Sequence, residues 1–220
     1  MGQTILTEDQ KKVLAEFSSN AQLRDVFYLA GGTALTEYYL HHRYSDDLDF
    51  FTQRKDFPQI PVEAFIQHLK KVLKYTTIEY QRLYDRRIFF LKKGKDELKI
   101  EFTQYPFIPI NSLVQKNGFM VDSLPDIAAG KVMALMDRTE AKDFVDLYCI
   151  NQNGGLPFEQ ILEYVKKKFD FSIVPLTWAN ECSKVRSLTV LPRMIAKLTL
   201  VELKNFFTDE ARKARPLIIE

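Results

Sequence analysis

Apolar and polar residues alternate along Leu98-Lys99-Ile100-Glu101-Phe102-Thr103, which predicts a strand over 97–104 with Leu98, Ile100 and Phe102 on its buried face. Leu48-Asp49-Phe50-Phe51 reads the same way, with Leu48 and Phe50 inward. A third apolar run, Val26-Phe27-Tyr28-Leu29-Ala30, suits a short buried strand that Gly31-Gly32 ends before a helix. Further strands are expected near 76–84 and 87–93, with Gly94 marking a hairpin turn. Helical signals surround these strands. Thr7-Glu8-Asp9-Gln10 has the form of a capping box and opens a helix near 8–18, and another helix follows Pro61. After Ser123-Leu124-Pro125-Asp126 the chain turns helical, with Asn153-Gly154-Gly155 ending one helix and Pro157 opening the next. Two more helices are expected near 174–186 and 192–213. The pattern predicts an α+β protein: a small mixed sheet flanked by helices over 1–120, then a helical bundle over 121–220 that closes over a cleft.

Strand alternation also sorts the charged residues. Asp47 and Asp49 share one face of the second strand, opposite Leu48 and Phe50, while Asp46 points away and reads as a turn residue. Two carboxylates so placed repel by about 4 kcal/mol at ~4 Å and an effective dielectric near 20, which calls for a proton or a cation between them. Glu101 stands on the polar face of its own strand and makes a third acid, with Lys99 beside it reading as an ordinary exposed neighbour. Three such carboxylates facing a glycine turn can hold two divalent ions roughly 3.5–4 Å apart for in-line attack on a nucleotide phosphorus. Gly31 and Gly32 let the backbone approach a phosphate, and Thr33 stands where a helix begins, suited both to capping and to phosphate contact. In the loop entering the acid strand, Ser45 either bonds phosphate or shapes the turn, and Arg43 either contacts the nucleotide or braces Asp46.

Gly31-Gly32, Asp47-x-Asp49 and Glu101 together resemble the DNA polymerase β-like nucleotidyltransferase superfamily and, more narrowly, the AbiEii toxin family. A second block narrows the likeness. AbiEii-like proteins carry a lysine-to-arginine helix followed by Asp-x-x-Asp, matched here by Lys131, Arg138, Asp143 and Asp146. Lys131 and Arg138 are seven apart, on one helical stripe that could meet a triphosphate. Asp143 and Asp146, three apart, could orient those cations, contact a metal or activate an acceptor hydroxyl. The resemblance spans roughly residues 25–150. It implies a polymerase β-like core, and magnesium-dependent transfer of a nucleoside monophosphate from a nucleoside triphosphate to a hydroxyl, with two Mg2+ ions on Asp47, Asp49 and Glu101 and Mn2+ as a substitute. It further implies a toxin checked by a cognate antitoxin protein, with a tRNA-like RNA as acceptor. A small-molecule nucleotidyltransferase of the aminoglycoside-modifying kind and a non-catalytic nucleotide-binding module are the alternatives.

Composition changes this picture little. The 220 residues are 46% hydrophobic and carry 31 basic against 29 acidic side chains, so no overall field demands nucleic acid. Local basic clusters at Lys70-Lys71, Arg86-Arg87, Lys92-Lys93 and Lys166-Lys167-Lys168, with Tyr75, Tyr80 and Tyr84 interleaved, suit either an RNA groove or solvated surface. Cys149 and Cys182 have no zinc or disulfide spacing and imply a reducing cytoplasm, and three histidines, His41, His42 and His68, form no metal motif. No apolar run approaches a membrane span, no secretion signal is expected, and Met1-Gly2 lacks the Ser or Thr at position six that supports myristoylation.

Overall fold

The computed structural model describes residues 4–213, outside which Met1-Gly2 lies. The chain divides into two compact units, one built from the segment ending at Glu37 together with Ser45–Ser123, the other from Tyr38–Tyr44 together with the chain from Leu124 onward.

In the first unit, α1 (Glu8–Ser19) is started by the expected capping box: Thr7 accepts from the Gln10 amide while the Gln10 side chain accepts from the Thr7 amide. A short α2 (Ala21–Arg24) leads to β1 (Tyr28–Ala30), α3 (Gly31–Leu35), a wide-turn π segment (Thr36–Leu40) and β2 (Leu48–Thr52). After α4 (Gln59–Val72) come β3 (Thr77–Leu83), β4 (Arg86–Lys93) and β5 (Asp96–Gln104), then a hairpin of β6 (Val114–Lys116) and β7 (Phe119–Val121). The sheet is mixed, in the order β3-β4-β5-β2-β1-β7-β6, with β2 parallel to β5 and β1 parallel to β7. The β6–β7 hairpin was not among the expected strands, although Asn117-Gly118 announces it: both residues have positive φ, as a two-residue hairpin turn of the favoured type requires.

Burial fixes the register of the two central strands. Leu48, Phe50, Ile100 and Phe102 point into the core, where the Phe50 and Phe102 rings stack at 5.0 Å and Phe17 of α1 lies 4.4 Å from Phe50. A slip of one residue would bring the aspartate and glutamate to this apolar face, so the core holds the acids outward. Gln10 adds a polar tie: it is fully buried and its Nε2 donates to the Ser45 carbonyl at 2.8 Å, fixing the entry to β2.

The second unit is helical: α5 (Leu124–Asp137), α6 (Ala141–Asn153), α7 (Phe158–Phe169), α8 (Pro175–Ser183) and α9 (Leu200–Lys213), packed around Phe144, Phe158, Trp178 and Phe207. The last helix starts eight residues later than the apolar pattern suggests. A capping box explains the start: Thr199 Oγ1 accepts from the Glu202 amide and the Glu202 carboxylate accepts from the Thr199 amide. The irregular chain before it pairs with the 38–44 segment, Tyr44 N–H donating to the Arg193 carbonyl and the Ile195 amide to the His42 carbonyl. No helix among the described residues is long and apolar enough to cross a membrane.

Gly31 has φ +68°, and a Cβ there would collide with the Asp49 carboxylate, landing 2.9 Å from its Cγ. Gly94, at φ +60°, faces open space. Both Gly→Ala variants bear the left-handed backbone cost of about 1–2 kcal/mol, but only Gly31→Ala must also displace Asp49. Urea denaturation is expected to show the larger loss at Gly31, and equal losses would mean that the turn does not press on the acid.

Candidate active site

The three sequence-identified acids lie on one face of the first unit. Asp49 on β2 is in direct register with Glu101 on the parallel β5, and Asp47 precedes Asp49 on the same face. The glycine turn sits against this pair. Gly31 approaches Asp49 too closely for any side chain, and the Thr33 hydroxyl donates to the Asp47 carbonyl. Thr33 therefore is not the helix cap, a position held by Ala30, and its hydroxyl joins the turn to the acid strand instead of facing a ligand. Ser45 is buried, with its carbonyl held by Gln10, which favours the turn-shaping role.

Two cations complete the arrangement, and neither was assigned to it from sequence. Lys99 is not an exposed neighbour: its side chain is 23% exposed and its ammonium lies 2.9 Å from Asp47 Oδ2 and 3.7 Å from Glu101 Oε2. Arg86, across the β4–β5 ladder, forks Glu101 with Nε at 2.6 Å from Oε1 and Nη2 at 2.7 Å from Oε2, and Thr103 donates to Oε1 at 2.7 Å. Burial would raise the Glu101 carboxyl, but the Arg86 hydrogen bonds and charge outweigh it and hold Glu101 below its usual range. Burial likewise pushes the Lys99 ammonium down, and the charges of Asp49 and Asp47 overcome that and raise it, so Lys99 stays charged. The signal for Lys99 was its spacing: two residues before Glu101 on a strand is the same face.

Magnesium needs hard oxygen donors in a near-octahedral set. Asp47 and Asp49 offer such oxygens on one face. Both oxygens of Glu101 accept hydrogen bonds, from Arg86 and Thr103. Among the described residues no three Asp, Glu, His or Cys side chains form a group that could hold a metal. Of the acids expected to hold two ions, Asp47 is paired with Lys99 and Glu101 with Arg86. A single ion between Asp47 and Asp49, completed by water and phosphate oxygens, fits the donors.

The Lys131, Arg138, Asp143 and Asp146 group lies in the second unit and is largely buried. Asp146 is fully enclosed, with Lys131 Nζ at 2.6 Å, Arg43 Nε and Nη2 at 2.6 and 2.8 Å, and His42 Nε2 at 2.8 Å. Asp143 takes Lys131 at 3.1 Å and Arg138 Nε at 2.8 Å. Lys131 and Arg138 share the expected helical stripe, yet that stripe converges on Asp143 within the chain. Arg43 is buried in its fork to Asp146. Burial alone would raise both aspartates, but Lys131 beside each, with Arg43 at Asp146 and Arg138 at Asp143, holds them low, Asp146 well below the usual carboxylate range. Carboxylates held so far down make poor proton acceptors. His42, which no motif singles out, contributes one nitrogen to Asp146, while its Nδ1 is buried without a hydrogen-bond partner.

The family model described as the nucleotidyl transferase AbiEii toxin of Type IV toxin–antitoxin systems matches residues 12–216. The chain belongs to the AbiEii family. It is also 35% identical over 175 residues to the uncharacterized protein aq_aa25 of Aquifex aeolicus, covering 77% of this chain and 80% of that one. Two Helicobacter pylori crystal structures share the fold at 20% identity: JHP933, with TM-score 0.56 and 97% of each chain covered, and a candidate nucleotidyltransferase, with TM-score 0.59 and 96% of each covered. The AbiEii motifs thus occupy different settings here, the glycine turn and acids on a sheet face and the lysine-to-aspartate block inside a helical unit.

With its folded pKa depressed, Asp146 contributes stability above the ordinary carboxylate value near 4, and that contribution is lost as pH falls through the lower folded value. Asp146→Asn leaves Lys131 and Arg43 buried beside a neutral amide and is expected to cost about 3–5 kcal/mol at pH 7. Urea melts should show that gap shrinking as pH falls well below the ordinary carboxylate range and the wild-type carboxyl takes up its proton. A gap independent of pH would assign the loss to shape instead of charge.

Proposed function

We propose that the first unit carries nucleotidyl transfer: a nucleoside monophosphate moves from a nucleoside triphosphate to a hydroxyl of an RNA acceptor, and pyrophosphate leaves. The observation that carries this reading is Asp49, in register with Glu101 and pressed against the Gly31 turn, which places a carboxylate within touching distance of backbone able to approach a phosphate. Membership of a nucleotidyl transferase family supports it independently.

In this reading the backbone at Gly31 and Gly32 grips phosphate, and Thr33 and Ser45 position that turn and the acid strand. The acceptor oxygen forms a bond to the α-phosphorus, the bond from that phosphorus to the bridging oxygen breaks, and pyrophosphate carries away the electron pair. The hydroxyl proton passes to the carboxylate group of Asp47 and Asp49, and the positive charges of Lys99 and Arg86 face the charge that develops. A Mg2+ or Mn2+ ion held by Asp47 and Asp49 would supply Lewis-acid polarisation of the phosphate. Lys131, Asp143 and Asp146 enter as the frame that fixes Arg43 and Arg138 within the second unit. An RNA acceptor is supported by the β3–β4 hairpin, where Tyr84 is 87% exposed and Tyr80 45% exposed beside Arg82, a stacking and charge surface suited to single-stranded bases. A cognate antitoxin is proposed from the toxin–antitoxin character of the family.

Incubation with labelled triphosphates, magnesium, total RNA and an aminoglycoside tests the reading. Label is expected on RNA with release of pyrophosphate, and Asp49→Asn should lower the rate at least ~100-fold, the scale of losing one charge-positioning group in a catalytic centre. Label confined to the aminoglycoside would replace the RNA acceptor, and equal rates for wild type and Asp49→Asn would refute catalysis at this face.

A further inference from the structure

We propose that Lys99 is a permanent cation of this centre, standing where a second metal ion would lie, so that the chain takes one divalent ion instead of two. The inference deepens the nucleotidyl transfer reading and rests on it.

Lys99 and Glu101 are two apart on β5 and therefore face the same way, and one register step back from the Leu48–Ile100 pair brings Lys99 beside Asp47. The ammonium spans the two outer acids, 2.9 Å from Asp47 Oδ2 and 3.7 Å from Glu101 Oε2. An ion shared by Asp47 and Glu101 would need those same oxygens. Arg86 forks Oε1 and Oε2 and Thr103 bonds Oε1, and the cation facing Oε2 from the Asp47 side is Lys99. A second ion between Asp47 and Glu101 would thus have to expel Lys99. Lys99 is held at its stem as well, in the middle of a nine-residue strand paired on both sides, by β4 at Phe90 and by β2 next to it. The three acids carry three negative charges and Lys99 with Arg86 carries two positive ones. One divalent ion already reverses the sign of that face, and a second would add two further charges beside a fixed ammonium.

Manganese binding to the full chain without nucleotide, followed by calorimetry and by the electron paramagnetic resonance signal of free Mn2+, reads the stoichiometry directly. Wild type is expected to bind one ion per chain, Lys99→Met two, and Lys99→Arg, which keeps the charge, one. Thermal melts of each variant establish that it is folded before the titration is read, and Lys99→Gln, which also removes the charge, carries the comparison with two ions expected should Lys99→Met fail to fold. Two ions on the wild type, none on it, or one on a folded Lys99→Met would overturn the inference. These results leave the transfer reading intact, since label transfer to RNA is measured separately, whereas a shift from one ion to two without any label transfer overturns the transfer and not the cation's place.

Discussion

Compensation of clustered negative charge is the constraint around which each unit is organised. In the first, three carboxylates are turned to one face because their strand neighbours Leu48, Phe50, Ile100 and Phe102 are committed to the core. Acids held that close need positive charge, and the chain supplies it from the same sheet: Lys99 from the strand that bears Glu101, Arg86 from the strand beside it. In the second unit two wholly buried aspartates are matched by Lys131, Arg43 and Arg138. The two solutions differ in their exposure. On the sheet face the compensating ammonium keeps contact with solvent and Asp47 stays partly exposed, while Glu101 is buried. In the helical unit Lys131, Asp143 and Asp146 are buried together, where removing a partner strands a charge in a medium that cannot solvate it.

This difference separates residues that share one motif. Lys131, Asp143 and Asp146 satisfy the AbiEii pattern letter by letter, and they are buried and paired with one another. Asp47 and Asp49 satisfy it too, and the glycine turn beside them has no room for a side chain. A motif records which residue types recur together. Burial and hydrogen-bond saturation decide which of them can touch a ligand, and Glu101 shows the point within a single site: in register with Asp49, yet with both oxygens engaged.

The fold was legible where periodicity and local chemistry agreed. Strand alternation located β2 and β5 and the face of each acid, and the Thr7 capping box and the Gly154 helix end stand where the sequence puts them. Two errors have physical causes. The apolar pattern near 192 was read as helix although Thr199 and Glu202 cap it later, and the β6–β7 hairpin was passed over because its strands are only three residues long. In the candidate site the acids were legible and their partners were not. Arg86 reaches Glu101 through strand pairing, and Arg43 reaches Asp146 across 103 positions of sequence, so neither distance is encoded in local spacing. Lys99 could have been found, since the alternation that turned Glu101 outward also turned Lys99 outward.

Arg43 shows how far linear proximity misleads. It stands four residues before Asp47, and on the page it belongs to the acid motif. The chain leaves the first unit after Glu37 and rejoins it at Ser45, and in between His42 and Arg43 take up Asp146 while the backbone at 42–44 pairs with 193–196. Seven of the residues between the glycine turn and the acid strand, 38–44, are therefore a structural part of the helical unit. The turn and the acids are brought together by the β1–β2 pairing that sets Ala30 opposite Asp49, and by the Thr33 hydroxyl on the Asp47 carbonyl. Sheet register, not the connecting loop, determines the geometry of the candidate site, which is why the loop is free to serve a second unit at all.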